Sequence, residues 1–466
     1  MTTTSPSLTS RICDAIVAAA AAPLDADVLR AARQLFLDGV SVAVAGARLE
    51  EAPRLLLEHF EDPLTGNGGG STATVLGLGA RLGTVPAALV NGAAMHVLDF
   101  EPMWLPATHA LSPALAPTLA LGQALGASGA RMLKAMVLGI EIQGRLRQAA
   151  GKLQSHELQF HPPGFVGPIG AAVAAGYLLD FDAERYANAI GIAGSRCGGL
   201  FPNLGTMTKS SHCAYAAAAG LEAALLTRRG FTGTKTLFDP APQSYGEAFF
   251  PRGFDAELLL DFGKPFRVVD PGYAIKIFPA KFSTHYAITA ALMARPSISD
   301  LASVKTIRMR AADVPSSNRP NPASGLDGKF SLQYTAAAAL LEGNVGLASF
   351  TDEMLATPEM QALLGKMQVE LSRDIPSIYT DGRYLDLEVE MDDGTIIATR
   401  CERPRGSWGA APITEEEHHG KARDCLATWL DPQSVDRFIE AADRIEELDA
   451  GEVSALLDLA GTGGRA

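Results

Sequence analysis

The sequence predicts a mainly α protein, with a large all-helical domain followed by a smaller α+β domain, and three observations predict it. From Leu8 to about Gly263 the chain is rich in alanine, leucine and glycine, and its apolar residues recur at helical spacing. Several of these segments are apolar nearly all round, so they must be buried among other helices rather than laid on a sheet. After about Pro265 the pattern changes to period-two alternation with β-branched residues, the signature of strands.

Taken in order, the spacing predicts helices over Ser7–Ala21, Asp25–Ala45, Val85–Asp99, Ser112–Leu125, Gly129–Ala149, Gly167–Leu178, Ala183–Gly194 and Ser210–Arg229. Small residues in AAVAAG and AYAAAAG permit close helix crossings. Strands are predicted at Val304–Arg310, Val369–Arg373, Leu385–Met391 and Thr395–Cys401, with Asp392-Asp393-Gly394 as a hairpin turn between the last two. Helices over Leu332–Glu342 and Asp352–Lys366 complete that unit. The tail from Thr414 to Leu459 turns helical and acidic again and is expected to pack back on the first domain. The expected division is therefore 1–265 with 410–466 for the helical domain and 266–409 for the α+β domain. The GNGGGS run at 66–71 lacks the Lys-Ser or Lys-Thr and the βαβ context of a phosphate loop, and reads as a flexible turn.

With 39 basic and 52 acidic residues the net charge is −13, which argues against a nucleic-acid or anionic-membrane partner; an anionic substrate would need a local cluster of cations. Five scattered cysteines without a CxxC pair suit a reducing cytoplasm and no structural zinc. The apolar run at Ala15–Ala22 reads as an amphipathic first helix, and no run is long enough to span a bilayer.

Candidate chemistry lies where polar residues interrupt apolar or Gly/Pro-rich context. The stretch NGAAMHVLDFEPMWLPATH, Asn91 to His109, places His96 and Asp99 one helical turn apart, and Pro102 and Pro106 then turn the chain back so that His109 returns toward Asp99. His161, in FHPPG, is held stiffly ahead of a buried helix, whose dipole favours a neutral imidazole. In GTMTKSSH, Lys209 and His212 share a face at a helix start, as an anion site or an acid–base couple. Lys276, in YAIKIFP, sits among apolar residues and needs an anionic partner or a shifted pKa, and Tyr334, in FSLQY, could serve as a proton donor or carboxylate ligand. Each stretch alone reads equally as a capped helix end, a snorkelling lysine or a core tyrosine. A metal held by His96, Asp99, His109 and His161 is not demanded by the spacing, so no metal is expected.

Read together, NGAAMHVLDF, FHPPG, GTMTKSSH, YAIKIFP and FSLQY in that order resemble the MmgE/PrpD family along nearly the whole chain, through ERPRGS at 402–407. That family includes 2-methylcitrate dehydratase, cis-aconitate decarboxylase and iminodisuccinate epimerase activities. The resemblance implies an all-helical domain, an α+β lid with a cleft between them, no metal or other cofactor, a homodimer, and active-site residues at Asp99, His109, His161, Lys209, Lys276 and Tyr334. One departure is notable: an aspartate–aspartate–threonine run common among the dehydratases and the decarboxylase is replaced by Glu101-Pro102-Met103. Without the threonine hydroxyl to help expel a leaving group, removing and returning one proton is the simplest outcome. The expectation is an epimerase of a small, iminodisuccinate-like dicarboxylate. Lys209, Lys276 and His212 would bind the carboxylates, while His161 and His109, oriented by Asp99, exchange the proton and Tyr334 acts from the second face. Which group is base and which is acid stays open. The alternatives are a hydro-lyase resembling 2-methylcitrate dehydratase, another lyase such as a decarboxylase, and a noncatalytic ligand-binding member.

Overall fold

The computed structural model describes residues 6–62, 64, 70, 72–151, 159–250, 252–377, 379 and 382–464; the Gly-rich run at 66–71, apart from residue 70, lies outside them. Helices α1 (Leu8–Ala21) and α2 (Ala26–Leu49) start at Ser7 and Asp25, whose side chains accept hydrogen bonds from Ser10 and Val28 backbone N–H groups. After α3 (Glu51–Glu61), a short hairpin of β1 (Ala73–Val75) and β2 (Ala80–Leu82) leads into α4 (Thr84–Val97), and β3 (Met103–Trp104) precedes α5 (Leu111–Leu125). Then follow α6 (Gly129–Ala149), α7 (Pro162–Leu178), α8 (Ala183–Gly194), α9 (Thr208–Arg228) and the short α10 (Tyr245–Phe249).

Helices α4, α5 and α7 are buried over nearly their whole length, which is why they show no polar face. They pack on one another and on α9. Glycines set the closeness of two crossings. A Cβ on Gly92 of α4 would lie 3.2 Å from Ala214 Cα, and one on Gly220 of α9 would lie 2.1 Å from Pro168 O of α7.

β4 (Tyr273–Ala274) pairs antiparallel with β3, tying the start of the C-terminal part to the loop between α4 and α5. Next come α11 (His285–Ala294), β5 (Val304–Ala312), α12 (Gly325–Gly328), α13 (Leu332–Glu342), α14 (Asp352–Leu355), α15 (Pro358–Leu364), β6 (Met367–Ser372), β7 (Leu385–Met391) and β8 (Ile396–Cys401). The sheet order is β6-β5-β7-β8, with β5 parallel to β6 and antiparallel to β7. Ile307 and Met309 of β5 and Leu385, Leu387 and Val389 of β7 join residues of α11 and α13 in a second apolar cluster. Helices α16 (Glu415–Leu426), α17 (Pro432–Ala442) and α18 (Ala450–Thr462) return to the first core, where Leu426, Phe438 and Leu457 pack with residues of α1, α2 and α6.

The elements differ from expectation at identifiable places. Helix α4 stops at Val97 instead of Asp99, because Asp99 takes a left-handed conformation (φ 51°). Helix α7 starts at Pro162 because both prolines suit a first helical turn. The expected Asp352–Lys366 helix is split, since Thr357 caps a new helix with Pro358 at its first position. Helices α3 and α11 and the β1–β2 hairpin were not foreseen. No described helix is long and apolar enough to cross a membrane.

Candidate active site

The left-handed turn at Asp99 ends α4 where a glycine would ordinarily sit, and it carries a side chain that glycine lacks. Its carboxylate is buried and accepts hydrogen bonds from two ammonium groups, Lys209 Nζ at 2.6 Å and Lys276 Nζ, while its backbone carbonyl accepts from Lys276 at 2.7 Å. Burial alone would raise this carboxyl, but Lys209 and Lys276, with His109 and His96 behind them, outweigh it and hold Asp99 well below the ordinary carboxylate value. Asp99 is therefore a standing anion that fixes the two lysines.

Lys209 lies in the first turn of α9, and its ammonium also donates to His96 Nε2 at 3.0 Å. That bond leaves the His96 proton on Nδ1, directed at Glu101 Oε1. Glu101 accepts in addition from Ser112 N–H and Ser112 Oγ, both at 2.9 Å, at the start of α5. Burial pushes Glu101 up to about 8 despite the two Ser112 bonds. His96 and Glu101 thus form a buried couple that can share a proton behind Lys209.

His109 stands just before α5, with Nε2 3.7 Å from Asp99 Oδ1 and Nδ1 3.6 Å from Glu101 Oε1; both exceed hydrogen-bond length, and Nδ1 has no partner. His161 occupies the N-cap of α7, with its Nδ1 3.2 Å from His212 Nδ1 on α9. Burial first, and neighbouring ammonium groups second, hold His96, His109 and His161 well below the usual histidine value, so all three are neutral at pH 7. The N-terminal ends of α5, α7 and α9 thus converge on the C-terminal end of α4, where their dipoles favour bound negative charge.

A cleft opens onto this cluster, with about 90 Å³ of space for water centres. Asp99, His109, His161 and Lys209 form its polar floor. Met103, Phe201, Phe282, Val314 and Phe330 form an apolar wall, and Lys281, Ser316 and Tyr379 stand among them. Such a volume corresponds to several water-sized groups, the scale of a small polycarboxylate.

Asp99, His109, His161 and Lys209 are brought together as the sequence motifs suggested, and His212 flanks them through His161. Three expectations need correction. Lys276 is fully buried, its ammonium donates to Asp99 and to Ala280 O at 3.2 Å, and it does not line the cleft, so its place is that of a counter-ion to Asp99. Tyr334 is fully buried in α13, where its hydroxyl donates to Ser349 O at 2.7 Å and its ring packs on Phe350; the cleft does not reach it. His96 and Asp99 are not on one helical turn either, since Asp99 lies beyond the helix; they meet through Lys209. Glu101, Ser112 and Lys281 were not read as site residues. Glu101 had a sequence signal, being an acid between two histidines in a mostly apolar stretch.

Ligand atoms of His96, His109 and His161 lie within 4.8 Å of one another, the spacing of a metal triad. A cation there would have to displace the Lys209 ammonium from His96 Nε2 and sit beside Lys276 as well, so the donor set fits a proton network better than a metal.

Residues 10–255 match the MmgE/PrpD N-terminal domain and residues 278–447 the MmgE/PrpD C-terminal domain. The chain is 30% identical to mouse (Mus musculus) cis-aconitate decarboxylase over 435 residues, covering 91% of this chain and 87% of that protein. It is 32% identical to the human (Homo sapiens) cis-aconitate decarboxylase over 381 residues, 79% of this chain and 78% of that protein. Identity to 2-methylcitrate dehydratase of Cupriavidus necator is 24% over 473 residues, 92% of each chain. With both domains matched in order along one chain, and the motif residues gathered round one cleft, this protein belongs to the MmgE/PrpD family.

Proposed function

We propose that the protein is a lyase that decarboxylates a small unsaturated tricarboxylate of the cis-aconitate kind. The epimerase reading finds no support among the relatives, which are named as decarboxylases and dehydratases. One observation favours the decarboxylase over the dehydratase: identity is 30% and 32% to the two cis-aconitate decarboxylases against 24% to 2-methylcitrate dehydratase, and the cleft wall beside Phe282 is the buried, apolar Met103. An apolar wall is a poor place to protonate a departing hydroxide. It is a good place to strip water from a carboxylate that leaves as neutral CO2.

In this reading Lys209, oriented by Asp99, holds the carboxylate conjugated to the substrate double bond. The bond to the departing carboxylate breaks, and its electron pair spreads through the C=C into the held carboxylate, where the ammonium stabilises the added charge. CO2 leaves, and one proton adds to carbon from His161 or His109. Both imidazoles are neutral in the free protein, but a bound trianion favours their charged forms, so each can take a proton from solvent as substrate enters and deliver it afterwards. Atoms and charge balance: a trianion and one proton give a dianion and CO2.

The α+β part, residues 266–409, supplies Lys281, Phe282, Ser316 and Phe330 to the cleft wall and acts as a lid in this proposal. A homodimer belongs to the same proposal, and a monomer in sedimentation velocity would remove it. The functional test is product analysis by NMR in deuterated buffer with cis-aconitate, 2-methylcitrate and iminodisuccinate. CO2 with one deuteron in an unsaturated dicarboxylate is expected from the first. Water loss from the second without decarboxylation would make the protein a dehydratase, and stereoisomer exchange of the third alone would restore the epimerase.

A further inference from the structure

Among the described residues four buried lysines have a carboxylate: Lys209 and Lys276 share Asp99, Lys329 pairs with Glu50 and Lys421 with Asp38; a fifth, Lys134, lies away from the cleft, where its ammonium donates to Ala22 O and sits over the Phe266 ring. Lys281 differs. It faces the cleft, and among the described residues no carboxylate forms an ion pair with it; its ammonium donates to Ser316 Oγ at 2.7 Å. Its backbone is fixed, with N–H donating to Lys329 O at 2.9 Å and the carbonyl accepting from Thr284 N–H and Thr284 Oγ1, each at 2.8 Å.

The charges around it are chiefly positive. Lys209 lines the same cleft, and Arg319, Lys209 and Arg383 all act on the ammonium electrostatically, with Asp99 the acid that opposes them. Arg319 is itself paired with Asp327, and Arg383 donates to Ser377 O and stacks on Tyr379. The neutral imidazoles of His109 and His161 and the phenol of Tyr379 complete the ionisable groups lining the cleft. An ammonium with a fixed stem, a hydroxyl beside it and no anion of its own is a prepared place for an anion from outside.

We propose that Lys281, with Ser316, is a second carboxylate anchor besides Lys209, so that the cleft selects substrates with carboxylates at both ends and favours a tricarboxylate over a dicarboxylate that cannot span the two. The inference rests on the polycarboxylate-lyase reading above and adds the specificity-determining residue to it. Burial, and then the Arg319 charge, lower the Lys281 pKa from its ordinary value to about 7. The empty anchor is therefore half neutral near pH 7, and a ligand carboxylate must draw a proton onto it. Ligand binding should take up protons in slightly alkaline buffer.

The test is calorimetric binding of two non-reacting probes, propane-1,2,3-tricarboxylate and methylsuccinate, which lacks one of its end carboxylates, to wild type, Lys281→Met and Lys281→Arg at pH 6 and pH 8.5, in buffers of different ionisation enthalpy. Wild type is expected to prefer the tricarboxylate roughly 10- to 100-fold at pH 6, the usual worth of a charge-assisted hydrogen bond. Lys281→Met should lose that preference and the proton uptake, whereas Lys281→Arg should keep the preference at both pH values without the uptake. Lys281→Gln replaces the methionine variant if the latter does not fold. Equal preference in wild type and Lys281→Met, or proton uptake unchanged by the substitution, would overturn the anchor. Turnover separates the two proposals. Decarboxylation with an unchanged KM in Lys281→Met sinks the anchor alone, while probe preference lost in that variant without decarboxylation by wild type sinks the lyase reading alone.

Discussion

Asp99 does two jobs with one residue, ending α4 in a left-handed turn and supplying the anion for two buried ammonium groups. Asparagine tolerates the same backbone, so Asp99→Asn should keep the turn and remove only the charge. Leaving Lys209 and Lys276 without their carboxylate should cost about 3 to 5 kcal/mol in urea unfolding, the usual penalty for breaking a buried pair. It should also lower kcat/KM by roughly 100-fold or more, as loss of oriented transition-state charge does. The pH profile of kcat/KM follows from the shifted groups. His109 and His161 lie well below 6.5 in the free protein, so no acid limb should appear near 6.5. As pH rises, Lys281 (about 7) and Lys276 (about 8) lose their protons, so activity should fall above neutrality. An acid limb centred near 6.5 with a flat alkaline side would contradict the assignment. At this scale the sequence was informative wherever a polar residue stood in a short stiff motif, as for His161 between Phe160 and Pro162. Lys281 escaped notice because the absence of a counter-ion is a property of the folded neighbourhood and leaves no mark in the sequence. Tyr334 misled for the opposite reason: FSLQY looks like a site motif, but Ser331 caps α13 and turns the tyrosine into the core.

The elements hold this cluster from several directions. Lys421 of α16, far along the chain, donates to Asp38 Oδ2 of α2 at 2.8 Å and to Phe100 O at 2.9 Å, next to Asp99. Lys421→Met should therefore destabilise the protein by about 3 kcal/mol, since Asp38 stays buried with only His418 beside it. It should also lower kcat more than it raises KM, and speed hydrogen exchange at the Asp99 amide, which a purely structural role elsewhere in α2 would not do. Helix crossings give a second check. Gly220→Ala would push a methyl into Pro168 O, and the overpacking should cost about 1 to 3 kcal/mol in thermal or urea unfolding. Helix periods were readable because burial on all sides leaves continuous apolar runs. The split at Thr357–Pro358 and the early start of α7 depended on caps and prolines that compete with periodicity, and α11 is apolar on all sides within a region otherwise read for strands.

Across the whole molecule, the change of composition near Pro265 marks where a second apolar cluster begins, built from α11, α13 and the sheet. The return of α16–α18 to the first cluster brings Lys421 beneath the Asp99 turn, so the last helices act on the site without lining the cleft. Pattern and motif order carried the fold class and the four floor residues. The apolar wall from Met103, Phe282, Val314 and Phe330 was not readable, because residues from distant segments become one surface only after folding. That wall is what separates CO2 loss from water loss in the proposed chemistry. The most direct measurement is 13C NMR of carboxyl-labelled cis-aconitate with the wild-type protein in deuterated buffer. The decarboxylase reading predicts transfer of label to CO2 and bicarbonate, with one deuteron in the dicarboxylate product. Label retained in the tricarboxylate, together with water lost from 2-methylcitrate, would contradict it.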